Sequence, residues 1–275
     1  MPLERRVRRE KDARVLSRIG GPDLRDLRHA KRLLEQTSLA IRISNLVGIP
    51  IERGIELLPK RASELVTGAT RRALQTALRF ALATLDDEPG EPSADMLHKV
   101  LVTATGAGGG LFGMPALAIE LPLSTTIMLR SIADVARSEG ERLGSPNTKL
   151  ACLQVFALGG RSKDDDAVES AYFAIRAALA RALADAAQLM AERGVAQESA
   201  PAIVRFIVQV AARYGIVVSE KAAAQALPLV GAAGGAVVNA LFMDHFQDVA
   251  RGHFIVRRLE RSYDHEIIRR AYVDA

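Results

Sequence analysis

A single carboxylate lies within a long apolar stretch of this 275-residue chain. Glu120 is the only charged residue between Lys99 and Arg130. Because burial of an isolated charge is costly, this carboxylate has to be neutralised, paired or placed at a cleft. Arg130 and Asp134 are one helical turn apart and are expected to pair with each other. The group is a candidate acid–base site, and a structural ion pair is the alternative.

A second group of polar residues lies in the string NALFMDHFQDVARGH, residues 239–253. His245 and His253 are eight residues apart, which is about 12 Å along a helix and too far to share one metal ion. Asp244 with Asp248, or His245 with Asp248, could supply two ligands on one face, and a third would have to come from elsewhere. The spacing favours polar contacts between helices over a metal site. A His–Asp pair is also a candidate general base.

Two long segments, residues 100–119 and 222–243, carry no charged side chain. Each is long enough to cross a bilayer, although glycine, proline and polar residues dilute both. In the first, Gly108, Gly110 and Gly113 match the pattern G-x-G-x-x-G, but no βαβ unit accompanies them. A dinucleotide loop is therefore disfavoured, and a membrane span and close helix packing stay open.

Glycines four residues apart occur in both segments, on one helical face where another backbone can approach closely. The sharper hypothesis is that these helices can also turn towards lipid, since glycine and proline weaken a helix interior. The candidate lipid-contact residues are Gly106, Gly110, Leu111, Phe112, Gly113, Gly231, Gly235 and Phe242.

The composition is 49% hydrophobic and only 4% aromatic, which favours helices rich in alanine and leucine. The formal charge of +5 and the isoelectric point near 9.6 permit an anionic partner. Cys152 is the only cysteine, which excludes a disulfide framework, and its apolar neighbours predict a buried, inert thiol. Residues 1–18 hold seven basic and three acidic residues without an apolar run. They do not form a secretory signal, so the expected location is cytoplasmic, with peripheral membrane association.

Hydrophobic periodicity predicts an all-α protein, with a basic arm at 1–21 and one compact multi-helix domain at 22–275. The two glycine-rich apolar segments are expected to pack centrally. Further helices are predicted through 61–85, up to Gly140, from Ser145-Pro146 to the glycine pair at 159–160, up to Gly215, and from about 242 to 262. Two inner stripes are predicted: Leu27, Ala30, Leu34, Ser38, Ile41 and Asn45, and then Tyr172, Ile175, Leu179, Leu183, Ala186 and Met190.

Three longer strings resemble the EcsC family: ELPLSTTIMLRSIADVARSEGE at 120–141, LACLQVFALGG at 150–160 and VVNALFMDHFQDVARGHFIVRRLE at 237–260. The similarity extends from about residue 30 to the C-terminus. The resemblance implies a helical bacterial protein that is cytoplasmic or membrane-associated, and it implies no particular reaction. Because the family's namesake is encoded beside components of an ABC transporter, a transporter subunit is a candidate partner.

The leading hypothesis is a non-enzymatic helical protein that binds membrane lipid reversibly and needs no cofactor. The arginine groups at 5–18 and 257–270 would attract it to anionic lipid. Nucleic acid is unlikely as a partner, because zinc-finger spacing, an RNP motif and an aromatic platform are all missing.

The alternative hypothesis is a hydrolase in which four polar residues converge on a cleft. These residues are Glu120, Arg130, His245 and His253. Acid–base partners have to lie within hydrogen-bond reach of the reacting group, or one water away from it. The hypothesis therefore predicts that these side chains meet around one reacting group in the folded protein.

Overall fold

The computed structural model describes residues 19–35, 39–47, 55, 60–85, 117–160, 170–193, 200–226 and 231–275. Within these ranges the chain forms nine helices, and no residue described lies in a strand. The predicted all-α class is confirmed. The helices are α1 (Gly21–Leu34), α2 (Leu39–Val47), α3 (Lys60–Thr84), α4 (Leu117–Ser138), α5 (Pro146–Leu158), α6 (Ala171–Arg193), α7 (Pro201–Ala226), α8 (Gly231–Ser262) and α9 (His265–Asp274).

Helix α5 forms the centre of the fold and packs against α3, α4, α6, α7 and α8. Every residue from Thr148 to Leu158 is buried, so the helix has no solvent-facing side. Ser145 and Pro146 begin this helix and Gly159 ends it, as predicted. Five of the other helices are therefore arranged around one enclosed helix.

The first predicted helix is divided into α1 and α2. Leu27 is fully buried as predicted, but Ile41 is 48% exposed and Asn45 is also exposed. Helix α2 buries Leu39 and Ile43 instead. The predicted stripe was wrong at Ile41 and Asn45, because α2 is a separate helix in which other positions face inward, and Ser38 lies outside the described residues.

Two predicted helix boundaries, at Gly215 and near Phe242, are absent. Helix α7 continues through Gly215 to Ala226, and α8 runs without interruption from Gly231 to Ser262. An interior glycine costs about 1 kcal/mol relative to alanine. Burial of Tyr214 and Val218 on either side of Gly215 outweighs that cost, so tertiary packing overrides the local signal.

Several local predictions are confirmed. Gly140 follows α4 with a φ of 82°, a left-handed conformation that glycine adopts without strain. In α6 the predicted stripe faces the core, with Leu183 half-buried and Tyr172, Ile175, Leu179, Ala186 and Met190 buried. Cys152 is fully buried, and burial raises the pKa of its thiol, which keeps it protonated.

The two glycine-rich segments are described in part. Residues 100–116, which include Gly106, Gly110, Leu111, Phe112 and Gly113, lie outside the described residues, as does the basic arm at 1–18. The second segment is divided between the end of α7 and the start of α8, so residues 222–243 do not form one membrane-spanning helix. Its alanines 222–224, Val238 and Phe242 are fully buried, which places these residues in the core, whereas Val237 is 43% exposed.

Close packing at glycine occurs at positions that the sequence analysis did not select. A Cβ atom at Gly160 would lie 2.2 Å from the carbonyl oxygen of Arg213 in α7. A Cβ atom at Gly252 would lie 2.6 Å from Cγ of Leu34, where α1 crosses α8. Only glycine permits these two contacts, so they set how closely the helices approach.

One described helix segment, Pro201–Gln225 in α7, is long and apolar enough to cross a membrane. Length and composition alone give this result, and core helices of soluble proteins pass the same test. Less than half of the segment is buried. The finding is weak evidence for a span.

Candidate functional site

Glu120 lies in the first turn of α4 and is paired with a fully buried lysine. Its Oε1 accepts hydrogen bonds from Nζ of Lys221 at 2.7 Å and from Nδ2 of Asn239 at 2.9 Å. Gln225 donates to Oε2 at 3.3 Å. Lys221 is 0% exposed and Glu120 is 7% exposed. Of the three outcomes expected for this carboxylate, the structure therefore shows pairing.

Burial lowers the pKa of Lys221, and the charge and hydrogen bond of Glu120 oppose that shift. Burial alone would raise the pKa of the Glu120 carboxyl, but the Lys221 ammonium and the hydrogen bonds from Lys221, Asn239 and Gln225 hold it below its usual value. The Lys221 ammonium also lies 4.9 Å from the centre of the Phe242 ring, a cation–π distance. The pair carries no net charge, and each ion depends on the other.

These four residues, Glu120, Lys221, Gln225 and Asn239, are called the Glu120 cluster below. The cluster joins α4, α7 and α8. It begins directly after the first uncharged segment, residues 100–119, and includes two residues of the second, residues 222–243. Glu120 is the fourth residue of α4, which follows residues 100–116 in the chain. Gln225 and Asn239 both belong to the second segment. The cluster therefore holds the start of α4, next to the first segment, against residues of the second segment.

Arg130 and Asp134 pair along α4, as predicted, with 3.9 Å between Nε and Oδ1. Arg137 approaches the same oxygen more closely, at 3.2 Å. Asp134 is buried, and the two arginines lie one turn before it and one turn after it. The three side chains form an ion group within one helix, with partners different from those of Glu120.

His245 contacts the C-terminal end of α5. Its Nε2 lies 2.9 Å from the carbonyl oxygen of Gly159, and because a carbonyl only accepts, Nε2 carries the hydrogen. Arg213 donates to the carbonyls of Ala157 and Gly160 at 3.3 and 2.7 Å. The last carbonyls of a helix have no partner inside it, so both side chains cap α5.

His253 is fully buried, and its Nδ1 lies 2.9 Å from the hydroxyl of Tyr172. Arg176 donates to that hydroxyl at 3.2 Å and binds both carboxylate oxygens of Glu260 at 2.8 Å. Burial, and then the charges of Arg176 and Arg257, lower the pKa of His253 well below its usual value. His253 is therefore a neutral imidazole at neutral pH.

The four residues of the hydrolase hypothesis have different partners in the described structure. Glu120 is bound to Lys221, Arg130 to Asp134, His245 to the end of α5, and His253 to a tyrosine. The cleft between α6 and α9 has a volume of about 630 Å³, and none of the four lines it. These contacts do not assemble the four groups around one reacting atom.

The candidate metal ligands on α8 have other contacts. Asp248 lies 3.9 Å from Arg42 of α2, and His245 faces α5. Across the ranges that the structure describes, no group of three or more His, Cys, Asp or Glu side chains could hold a metal ion. The pair Asp244 with Asp248 and the pair His245 with Asp248 therefore have no third metal ligand within those ranges.

The three arginines near the end of α8 form ion pairs with carboxylates of the protein, although Arg261 is 42% exposed. Arg257 and Arg261 both contact the buried carboxylate of Glu141. Arg258 contacts Glu139 at 2.8 Å and Asp26 of α1 at 2.7 Å. Carboxylates that face these arginines balance their charge. These contacts join α8 to α1 and to the turn after α4, and contact of the arginine group with lipid stays a prediction.

Glu141→Gln is expected to lower the free energy of unfolding at pH 7 by about 2 kcal/mol, because it removes charged hydrogen bonds. Burial alone would raise the pKa of Glu141, but Arg257, Arg261 and Thr148 hold it below its usual 4.5. The stabilisation is therefore complete above that value and is lost as the pH falls through the folded-state pKa. Urea denaturation of both proteins between pH 7 and 3.5 should show the difference shrinking in acid. A constant difference would contradict the assignment.

The outer face of α4 exposes two large apolar side chains that the sequence analysis did not select. Ile119 is 80% exposed and Leu123, one turn later, is 51% exposed. Ile127 and Arg130 continue the same face and are half-buried. The signal was present in the four-residue spacing of 119, 123 and 127, but periodicity alone does not tell which face of a helix is covered.

The fold is all-helical within the described residues and is built around the enclosed helix α5. A buried ion pair and its amide partners join α4, α7 and α8. The chain belongs to the EcsC protein family, whose family model matches residues 23–259. The match covers most of the chain and confirms the resemblance noted in its sequence. No curated protein and no solved structure matches the chain.

Proposed function

We propose that this protein binds membrane lipid reversibly and that the outer face of α4 supplies part of the apolar contact. The supporting observation is the exposure of Ile119 and Leu123, which are adjacent on that face. Large apolar side chains gain free energy when they leave water, in proportion to the area removed. Residue 119 also ends the uncharged segment 100–119, so the exposed face continues an apolar part of the chain.

The size of this contact suits reversible binding. Full burial of one such side chain contributes about 1.5–3 kcal/mol, so two contribute a modest affinity. Stable attachment to a bilayer surface commonly needs a second attraction besides a small apolar one. The protein would therefore exchange between solution and membrane unless a further contact, such as charge, adds to the first.

Ile119→Asp is expected to reduce binding to phosphatidylcholine vesicles about tenfold or more, because a carboxylate does not enter the apolar part of the interface. Sedimentation with sucrose-loaded vesicles measures the bound fraction of the full chain. Ile41→Asp is the matched control, since Ile41 is an exposed isoleucine on another helix. Equal loss in both variants, or no binding of the unmodified protein to either neutral or anionic vesicles, would refute the proposal.

Two other functions stay predictions. Contact with a transporter subunit depends on the gene neighbourhood of the family's namesake, and co-purification with such a subunit would test it. Hydrolysis would require a turnover that His245→Ala abolishes while the protein stays folded. The contacts of His245 with α5 predict that this variant loses stability, which has to be measured alongside any activity.

A further inference from the structure

A row of basic side chains lies on the outside of α1. Arg25, Arg28, His29 and Arg32 are all exposed. Their spacing of three, four and seven residues from Arg25 places them on one face of the helix. The row spans about 10 Å along the helix axis. We call these four residues the α1 basic face.

The carboxylates of α1 point away from this face. Asp23 and Asp26 approach Arg258 of α8 at 3.7 and 2.7 Å. No described carboxylate forms a salt bridge with any of the three arginines of the α1 basic face, and Arg32 lies 3.5 Å from His29. On α1 the two acids thus contact α8 and the three arginines are exposed, whereas Lys31 donates to the carbonyl of Val273 at 3.0 Å.

Two exposed arginines of α9, in contrast, share one acidic partner. On α9, Arg269 and Arg270 both contact Glu266, at 3.5 and 2.9 Å. Like charges three or four residues apart on a helix destabilise it by a few tenths of a kcal/mol per pair. The α1 basic face keeps such repulsion, which an anionic partner would relieve.

Helix α1 holds these side chains on a rigid support. Leu27 and Ala30 are fully buried, and Gly252 lets the helix lie directly against α8. The backbone N–H of Gly20 donates to the hydroxyl of Tyr263 at 3.2 Å, which fastens the start of the helix. A partner would therefore meet a preformed row of charges rather than a segment that has to be ordered first.

We propose that the α1 basic face binds the phosphate groups of an anionic bilayer. The proposal rests on reversible lipid binding, and it names the lipid charge and the surface that meets it. The modest apolar contact of α4 calls for a second attraction, and charge supplies one. A bilayer is favoured over nucleic acid because the face has no Phe, Tyr or Trp on which bases could stack.

The test compares two triple variants of the full chain that lose the same charge. The test variant carries Arg25→Gln, Arg28→Gln and Arg32→Gln, and the control carries Arg181→Gln, Arg205→Gln and Arg269→Gln on three other helices. Each protein is titrated with vesicles of phosphatidylcholine alone and with 30% phosphatidylglycerol. We expect the test variant to lose about 100-fold in partitioning to the anionic vesicles, or about fivefold per arginine. The control should change less than about threefold, and a variant with Arg25→Lys, Arg28→Lys and Arg32→Lys should keep the preference for anionic vesicles.

The outcomes separate this proposal from the one on which it rests. If the unmodified protein binds both vesicle types equally and Ile119→Asp still weakens binding, the α1 proposal is wrong and lipid binding stands. Equal losses in both triple variants would also overturn the α1 proposal, since general charge would then suffice. Absence of any vesicle binding would refute both. Binding of single-stranded DNA through the three arginines, without vesicle binding, would assign the face to nucleic acid instead.

Discussion

Gly160→Ala is expected to destabilise the protein by about 3 kcal/mol and to lower its Tm by many degrees. The added Cβ atom would lie 2.2 Å from the carbonyl oxygen of Arg213 and 2.7 Å from its carbonyl carbon. Both are backbone atoms, so no side-chain rotation relieves the clash. Separation of α5 from α7 would also weaken the hydrogen bonds that Arg213 donates to the end of α5. Thermal and urea unfolding monitored by circular dichroism measure the effect.

Gly68→Ala is the matched control for this prediction. Gly68 lies inside α3, and a Cβ atom there would meet nothing within 4 Å. Alanine has a higher helix propensity than glycine, so this variant should be more stable by about 0.5–1 kcal/mol. Opposite signs for the two substitutions would show that close helix approach, and not glycine as such, decides the outcome. A Gly160→Ala protein as stable as the unmodified one would contradict the packing at the end of α5.

Lys221→Met is expected to destabilise the protein by about 3–5 kcal/mol, because it leaves the Glu120 carboxylate buried without its counterion. The double variant Glu120→Gln with Lys221→Met should recover much of this loss. Its side chains are neutral, and a glutamine can still accept from Asn239. Urea denaturation of the unmodified protein, both single variants and the double variant gives the coupling free energy between the two positions. Additive effects would mean that the pair contributes nothing as a pair.

The dependence on pH gives this second prediction another readout. In the unmodified protein, Lys221 and the hydrogen bonds hold the pKa of Glu120 below its usual value against the effect of burial. Glu120 then contributes stability above its unfolded-state pKa and loses it as the pH falls. In Lys221→Met only desolvation by burial and the amide hydrogen bonds remain, and we expect the pKa to rise. The variant should thus recover part of its lost stability in acid, where the unmodified protein weakens.

Local sequence signals predicted much of the helical framework. Ser145 with Pro146 began α5, and Gly140 followed α4 with a positive φ. The apolar stripe of α6 faced the core over its whole length. These features depend on residues within one or two turns of each other, where capping chemistry and helical period act directly. The same signals failed at Gly215, because the packing of Tyr214 and its neighbours outweighs the low helix propensity of one glycine.

The candidate site depended on contacts that a local pattern does not contain. The sequence showed that Glu120 needed a partner, but Lys221 is 101 residues away in the chain. The arginines at 257–261 looked like a solvent-facing basic group, and the structure pairs them with Glu139, Glu141 and α1. Arg25, Arg28 and Arg32, in contrast, lie within three residues of an acid in the sequence, yet no described carboxylate forms a salt bridge with them.

The sequence by itself determined the helical class, the family, several helix ends and the need of one isolated carboxylate for a partner. Only the tertiary structure decided which cation meets Glu120, which glycines touch a neighbouring backbone and which arginines face solvent. The physical reason is the range of the interactions. Helix propensity and capping act over a few residues, whereas ion pairing and close packing join residues that only the folded chain brings together.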